Sequence, residues 1–143
     1  MTVTCLSPNG GQLTTATSEV ERLKVATIRG ILTLERAGRG KPWRITGQSL
    51  ADFPISSILY EPRSGRLFAG THGQNGLWVS DDGGETWQRK QKGLTTDHFY
   101  TIEVQYRGSG TVLFVGAEPA LLFRSDDLGE SFRELPALRD VPD

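Results

Sequence analysis

The sequence has little cysteine, no excess of charge of either sign and no long apolar run. The single Cys5 excludes an internal disulfide framework and any zinc site built on several cysteines. The formal net charge is −1, from 16 basic and 17 acidic side chains, which gives nucleic-acid binding no electrostatic support. No stretch approaches the ~18 apolar residues of a membrane-spanning helix, and the N-terminus does not resemble a secretory signal. We therefore expect a soluble, cytoplasmic protein that binds neither nucleic acid nor membrane.

Glycine, in contrast, is abundant, with 17 residues in a chain of 143. Abundant glycine together with many Val, Ile, Thr and aromatic residues is typical of short strands joined by tight turns. No segment shows a convincing helical pattern. The composition therefore predicts an all-β fold, and the length allows one domain over residues 1–143.

Two segments of the chain repeat each other. Residues 76–87 read GLWVSDDGGETW, residues 121–132 read LLFRSDDLGESF, and their serines are 45 residues apart. Both contain Ser-x-Asp-x-Gly-x-(Thr or Ser)-aromatic. The residues at the shared positions are Ser80, Asp82, Gly84 and Trp87 in the first copy and Ser125, Asp127, Gly129 and Phe132 in the second.

A third, degraded copy lies upstream. Trp43 precedes Trp87 by 44 residues and Gly40 then aligns with Gly84, whereas Arg36 and Gly38 replace the serine and the aspartate. Each unit holds four short strands, predicted at 55–60, 66–71, 76–81 and 87–92 in the second unit and at 99–106, 111–116, 120–125 and 131–135 in the third. Four strands in a repeat of about 40–50 residues are typical of a β-propeller blade. We predict three blades in an incomplete ring, over residues 1–50, 51–94 and 95–138.

The opening segment allows two interpretations. A strand at 2–6, a turn at 7–11 and an extended stretch at 12–16 could supply missing strands of the first blade, or they could close the ring.

The shared residues suit a tight turn between the third and fourth strands. The aspartate accepts hydrogen bonds from backbone N–H groups that face no strand, and the serine adds a second local bond. Gly84 and Gly129 adopt the positive φ that such a turn requires. Trp87 and Phe132 are expected to pack against the turn or a neighbouring blade. These roles are structural, and no catalytic role is assigned to Asp82 or Asp127.

The motif resembles the Asp box, or bacterial neuraminidase repeat, of sialidases, other propeller glycosidases and sortilin-type receptors. The arrangement is most similar to proteins described as BNR-repeat or sialidase-like glycosyl hydrolases, and we expect the chain to be an N-terminal part of one. The resemblance implies that a ligand binds over the central channel, on the face opposite the Asp boxes. It says little about activity, because unrelated functions share this scaffold.

Because strands alternate in direction, the loops after second strands and between blades share the face opposite the motif. The candidate ligand-face residues in these loops are Arg29, His72, Asp97, His98 and Glu118. The last four could form a general acid/base pair or a metal site, or they could be solvated loop side chains. No metal or cofactor is assigned.

A glycosidase makes stricter demands. Resemblance to the sialidases implies three substrate-binding arginines, a tyrosine nucleophile with a glutamate partner and an acid/base aspartate, and no such set is recognisable on this face. Glu61 and Glu103, in first strands, are expected to face solvent. We therefore favour a binding or scaffold module for a small molecule, glycan or protein. The alternatives are a part of a sialidase-like glycosyl hydrolase whose catalytic residues lie mostly outside the chain, and a role in assembly.

Three blades do not close a ring, since closed propellers have 4–8. Three explanations stay open: the chain belongs to a longer protein, a second copy completes a six-bladed ring, or the arc is stable as it is.

Overall fold

The computed structural model of the chain describes residues 3–6 and 19–139. Within these ranges the protein is all-β, with twelve strands, one short 3₁₀ helix (Pro136–Leu138) and no α-helix. No helix in this part of the chain is long and apolar enough to cross a membrane. The strands are β1 Val3–Leu6, β2 Arg22–Thr27, β3 Gly30–Glu35, β4 Arg44–Ser49, β5 Ile55–Glu61, β6 Arg66–Thr71, β7 Leu77–Ser80, β8 Gln88–Lys90, β9 Phe99–Arg107, β10 Gly110–Ala117, β11 Leu121–Ser125 and β12 Arg133–Leu135.

The strands form three four-stranded sheets, each in the order of the sequence. Sheet A contains β1 to β4, sheet B contains β5 to β8 and sheet C contains β9 to β12. The prediction of an all-β fold is confirmed, and every strand predicted in the second and third units overlaps an observed one. Among the described residues the three sheets do not close into a ring.

The strand predicted in the opening segment is present as β1, but it runs parallel to β2, with Val3 opposite Arg22 and Leu6 opposite Val25. All other neighbours in the three sheets are antiparallel. Strand β1 thus occupies the edge of sheet A that β5 and β9 occupy in theirs, in the opposite direction relative to its neighbour. The predicted turn at 7–11 and stretch at 12–16 lie outside the described residues.

Sheet B packs against both other sheets through its first strands. Strand β5 contacts β1 and β2 of sheet A, and β5 and β6 contact β9 of sheet C. One buried apolar cluster joins Ile31 of sheet A to Ile58 and Leu67 of sheet B. The other joins Phe68 of sheet B to residues of sheet C that include Phe99. Because each strand alternates its side chains between two faces, Leu67 and Phe68 serve the two different clusters.

Arg66, the first residue of β6, joins successive sheets. Its Nε donates to Asp81 Oδ1 at 2.7 Å, in the turn after β7 of its own sheet. Its Nη1 donates to Leu128 O and to Glu130 Oε1, both at 2.8 Å, in the turn after β11 of sheet C. One side chain therefore binds the corresponding turns of two neighbouring sheets.

The prediction that Glu61 faces solvent is wrong, because this last residue of β5 is 0% exposed. Its carboxylate accepts hydrogen bonds from Arg63 N, Ser64 N, Ser64 Oγ and Tyr106 OH at 2.5–2.9 Å. Burial alone would raise the pKa of Glu61, but these hydrogen bonds outweigh it and lower the pKa. The turn after β5 folds back over the carboxylate, and Tyr106 reaches it from sheet C. Glu103 is exposed, as expected.

Candidate functional site

The first Ser-Asp turn, residues 80–87, is held by two side chains. Asp82 Oδ1 accepts from Ser80 Oγ at 2.8 Å, from Glu85 N at 3.1 Å and from Thr86 N at 2.9 Å. Ser80 Oγ in turn accepts from Gly84 N at 2.8 Å. The hydrogen bonds from the Thr86 side chain and backbone, with that from Ser80, hold the pKa of Asp82 well below its usual range. The carboxylate stays ionised and is occupied by its own turn.

The second turn, residues 125–132, repeats this geometry. Ser125 Oγ donates to Asp127 Oδ1 at 2.8 Å and accepts from Gly129 N at 2.9 Å. Asp127 also accepts from Ser131 N at 2.9 Å and from Ser131 Oγ at 2.5 Å. Gly84 and Gly129 have φ of +93° and +85°, a region that side chains other than glycine rarely adopt.

The aromatic residues that end the motif precede β8 and β12. Trp87 Nε1 donates to Gly84 O at 3.2 Å, and its ring packs on the cluster between sheets A and B. Phe132 is buried between sheets B and C, and its backbone N–H donates to Lys92 O at 2.9 Å. Both turns therefore anchor their sheet to its surroundings, and the carboxylates of Asp82 and Asp127 are bound within their own turns.

At the opposite end of sheets B and C, three loops meet. His72 follows β6, His98 precedes β9 and Glu118 follows β10. The backbone fixes their positions, because His72 N donates to Pro54 O at 2.9 Å and Glu118 N donates to His98 O at 3.0 Å. The loop that carries His72 is also bound to the linker before His98, through Gly76 N and Asp97 O at 2.8 Å.

The side chains of His72, His98, Tyr100 and Glu118 form one group of contacting polar side chains, the histidine cluster. His98 Nε2 lies 2.7 Å from His72 Nδ1. The other ring nitrogen, His98 Nδ1, lies 3.4 Å from Glu118 Oε2, and Tyr100 OH donates to that oxygen at 2.5 Å. The two imidazole rings meet edge to face, with centroids 4.2 Å apart. The cluster is partly open to solvent, since the His98 side chain is 16% exposed and that of Glu118 54%.

The donor of the bond between the two histidines depends on which tautomer each ring adopts. When the proton of a neutral His98 ring is on Nδ1, which lies 3.4 Å from Glu118 Oε2, His98 Nε2 is the acceptor. His72 Nδ1 is then the donor of the 2.7 Å bond, and His72 Nε2 carries a lone pair. Within the described chain that atom has no hydrogen-bond partner, and His72 is exposed. In this tautomer the surface end of the cluster is a hydrogen-bond acceptor, and its ring is bound to His98 and lies beside Tyr100.

Tyr100 was missed in the sequence, although a signal was present. Residues 98 and 100 are two apart at the start of β9, and such residues lie on the same face of a strand. Donation of its hydroxyl proton to Glu118 raises the pKa of Tyr100. The tyrosine therefore stays protonated and fixes the carboxylate beside His98.

Two of the predicted residues do not join the cluster. Asp97 forms an ion pair with Arg89 of β8, 2.9 Å between Oδ1 and Nη2. Arg29 lies in the β2–β3 turn of sheet A, where its backbone binds Thr27 and Gln48. The structure thus brings together His72, His98 and Glu118 and leaves Arg29 and Asp97 in other contacts.

The donor atoms of the cluster bind one another and do not converge on one point. In the part of the chain that is described, no group of three or more His, Cys, Asp or Glu side chains is arranged to hold a metal ion. The arrangement suits acceptance of a hydrogen bond from a ligand hydroxyl or amide at His72.

No protein-family model matches this chain, and no curated protein matches it. The resemblance to the Asp-box family therefore depends on the residues of the repeated turns.

Proposed function

We propose that the chain is a binding module of the Asp-box β-propeller type, with sheets A, B and C as three blades. In this proposal the ligand binds at the loop end that carries the histidine cluster. The observation that carries it is the convergence of His72, His98 and Glu118 from three separate loops into one group of contacting side chains.

The blade assignment is supported by strand order and by the turns. Each sheet has its four strands in the order of the sequence, as propeller blades do. Ser80–Asp82 and Ser125–Asp127 make the same side-chain hydrogen bonds at the same position between the third and fourth strands.

A binding role fits the cluster better than glycoside hydrolysis. The sialidase resemblance implies a tyrosine with a glutamate partner, a pair that Tyr100 and Glu118 form, but it also implies three arginines and an acid/base aspartate. Of the predicted candidates for these, Arg29 lies in a turn of sheet A and Asp97 is bound to Arg89. The acceptor at His72 and the exposed rings of His72 and Tyr100 suit recognition of a hydroxylated or amide-bearing ligand.

Nuclear magnetic resonance tests the proposal. A uniformly ¹⁵N-labelled chain is titrated with a panel of neutral mono- and disaccharides and with short peptides, while the backbone and imidazole signals are followed. At least one probe is expected to shift the signals of His72, His98 and Glu118 together. The variant His72→Ala should lose these shifts, and Arg29→Ala, which alters a loop outside the cluster, should keep them.

Two results would contradict the proposal. One is a panel whose shifts all lie away from the cluster in the folded protein. The other is turnover of fluorogenic glycosides, a sialoside included, that His72→Ala abolishes, since this would assign the cluster to catalysis.

A further inference from the structure

A buried lysine occupies a position that the repeat elsewhere gives to phenylalanine. Strand β2 reads RLKVAT and strand β6 reads RLFAGT, each beginning with Arg and ending with Thr. Thr27 Oγ1 and Thr71 Oγ1 make the same bond to the carbonyl of the glycine before the next strand, Gly30 and Gly76, at 2.8 and 2.6 Å. In this alignment Lys24 corresponds to Phe68.

Between sheets B and C, the phenylalanine fills the space under the next turn. Phe68 is 0% exposed, and a Cβ added at Gly129 would lie 2.7 Å from its Cε1. Arg66 covers the same place by reaching Leu128 and Glu130. Ring and turn are in close contact, and this junction is closed.

Between sheets A and B, the same place is a polar cleft. Lys24 is 4% exposed, and its Nζ donates to Thr33 Oγ1 at 2.8 Å. A Cβ added at Gly84 would lie 3.0 Å from that Nζ, so the ammonium group lies under the turn as the Phe68 ring does. The cleft has a volume of about 260 Å³ and is lined by Arg22, Lys24, Thr33, Glu35, Thr46, Gly47, Gln48, Ser49, Gly84 and Glu85.

The polar groups of the cleft are arranged by depth. Arg22 is paired with Glu35 across β2 and β3, whereas Glu85 belongs to the exposed part of the turn. The buried end carries the Lys24 ammonium group. Ser49 Oγ, two residues along β4 from the Gly47 that is level with Lys24 and Thr33, is also buried, and among the described residues it has no hydrogen-bond partner.

At this place sheet A carries an ammonium group where sheet B carries a phenyl ring. A buried ammonium group loses its hydration. Between sheets B and C the equivalent place is filled by the apolar side chain of Phe68. Departures of this kind from the pattern of a fold are found at functional sites. The charge at the closed end, with hydroxyl and amide groups around it, matches a ligand that has one negative group and several hydroxyls.

We propose that this cleft binds a compact hydroxylated oxyanion, a phosphate ester or a hydroxycarboxylate, with its anionic group at Lys24. The hydroxyl groups of the ligand bind Thr33 and Ser49. The cleft runs along sheet A from the 80–87 turn to Ser49, and none of the residues that line it belongs to the histidine cluster.

The test uses glycerol 3-phosphate, glycerate and inorganic phosphate as probes, with glycerol as the neutral control. Binding is followed by isothermal calorimetry and by chemical shifts of the backbone of β2, β4 and the 80–87 turn. The ester or the hydroxycarboxylate is expected to bind at least tenfold more tightly than glycerol and to shift the signals of these segments. Comparison of glycerol 3-phosphate with glycerate distinguishes a phosphate from a carboxylate group at the site.

Three variants make the test specific. Lys24→Met removes the charge and should weaken binding at least about tenfold, the effect of losing one charge-assisted hydrogen bond. Gly47→Leu leaves Lys24 unchanged and occludes the cleft, since a Cβ at Gly47 starts in ordinary contact, 3.7 Å from Thr33. It should abolish binding. Lys92→Met, which removes an exposed lysine, should bind as the wild type does.

The proposal is overturned if no anionic probe shifts the cleft signals, or if glycerol binds as tightly as the anions. It is also overturned if Gly47→Leu, shown by circular dichroism to be folded, binds the anions with wild-type affinity. That last comparison decides the question even where Lys24→Met does not fold.

Discussion

Replacing Glu61 by glutamine tests the network that joins the turn after β5 to sheet C. The carboxylate accepts four hydrogen bonds, two on each oxygen. A glutamine amide keeps a single acceptor oxygen and presents an NH₂ group to the other pair of donors. If that group faces Ser64, the hydroxyl can rotate to accept, but the Ser64 N–H then faces a donor.

The expected loss of stability follows from the number of donors that the glutamine leaves without an acceptor. A buried donor left unpaired costs about 1–3 kcal/mol, so Glu61→Gln should lower the free energy of unfolding by about 2 kcal/mol. For a chain of this size that corresponds to a fall in Tm of about 6–8 °C. Urea unfolding at neutral pH, followed by circular dichroism, measures the difference. The matched control is Glu103→Gln on the exposed face of β9, which should change the stability by less than about 0.5 kcal/mol.

The pH dependence of stability tests the role of Glu61 independently. The pKa of Glu61 is lower in the folded protein than in the unfolded chain, so its contribution is complete above the unfolded value of about 4.3. That contribution is lost as the pH falls through the folded value. The stability gap between wild type and Glu61→Gln should therefore narrow below about pH 4. Equal stability of the Glu61→Gln and Glu103→Gln variants at neutral pH would refute the reasoning.

Two further predictions concern Tyr106 and the turn serines. Burial and the hydrogen bond to Glu61 raise the pKa of Tyr106 to about 12, so absorbance titration at 295 nm should show a tyrosine ionising there, absent in Tyr106→Phe. Its contribution to stability should be complete below the unfolded value of about 10 and lost as the pH rises through about 12. Ser80→Ala and Ser125→Ala should each lower the free energy of unfolding by about 1–2 kcal/mol in urea titrations, because each leaves a buried glycine N–H unpaired. The exposed Ser109→Ala is the control, and an equal effect of all three alanines would contradict the assignment.

The strands of the second and third units could be predicted because their signals are local. Apolar alternation and the turns after β7 and β11 mark where strands begin and end, and the predicted bounds differ from the observed ones by at most two residues. The direction of β1 could not be predicted, since it depends on which edge of sheet A the segment meets. The burial of Glu61 was equally out of reach, because one of its partners, Tyr106, is 45 residues away.

For the candidate site, loop positions sufficed to bring His72, His98 and Glu118 to one end of the sheets. Loop positions did not predict which side chains these three residues contact, because those contacts depend on the directions of the side chains. Asp97 lies next to His98 in the sequence, but its carboxylate points to Arg89. The burial of Lys24 could not be predicted, because a single lysine in a strand is typical of a solvated position. Its importance depends on the structural comparison with Phe68.

The contacts of Arg66 with the turns of two sheets affect how the chain unfolds. In an array of similar units, the free energy of unfolding is the sum of a term for each unit and a term for each interface between neighbouring units. The ion pair between Arg66 and Glu130 adds a salt-sensitive contribution to the interface of sheets B and C. The burial of Phe68 adds an apolar contribution to the same interface. Cooperativity between these two units is therefore partly electrostatic, and added salt weakens it while leaving each unit's own interior unchanged.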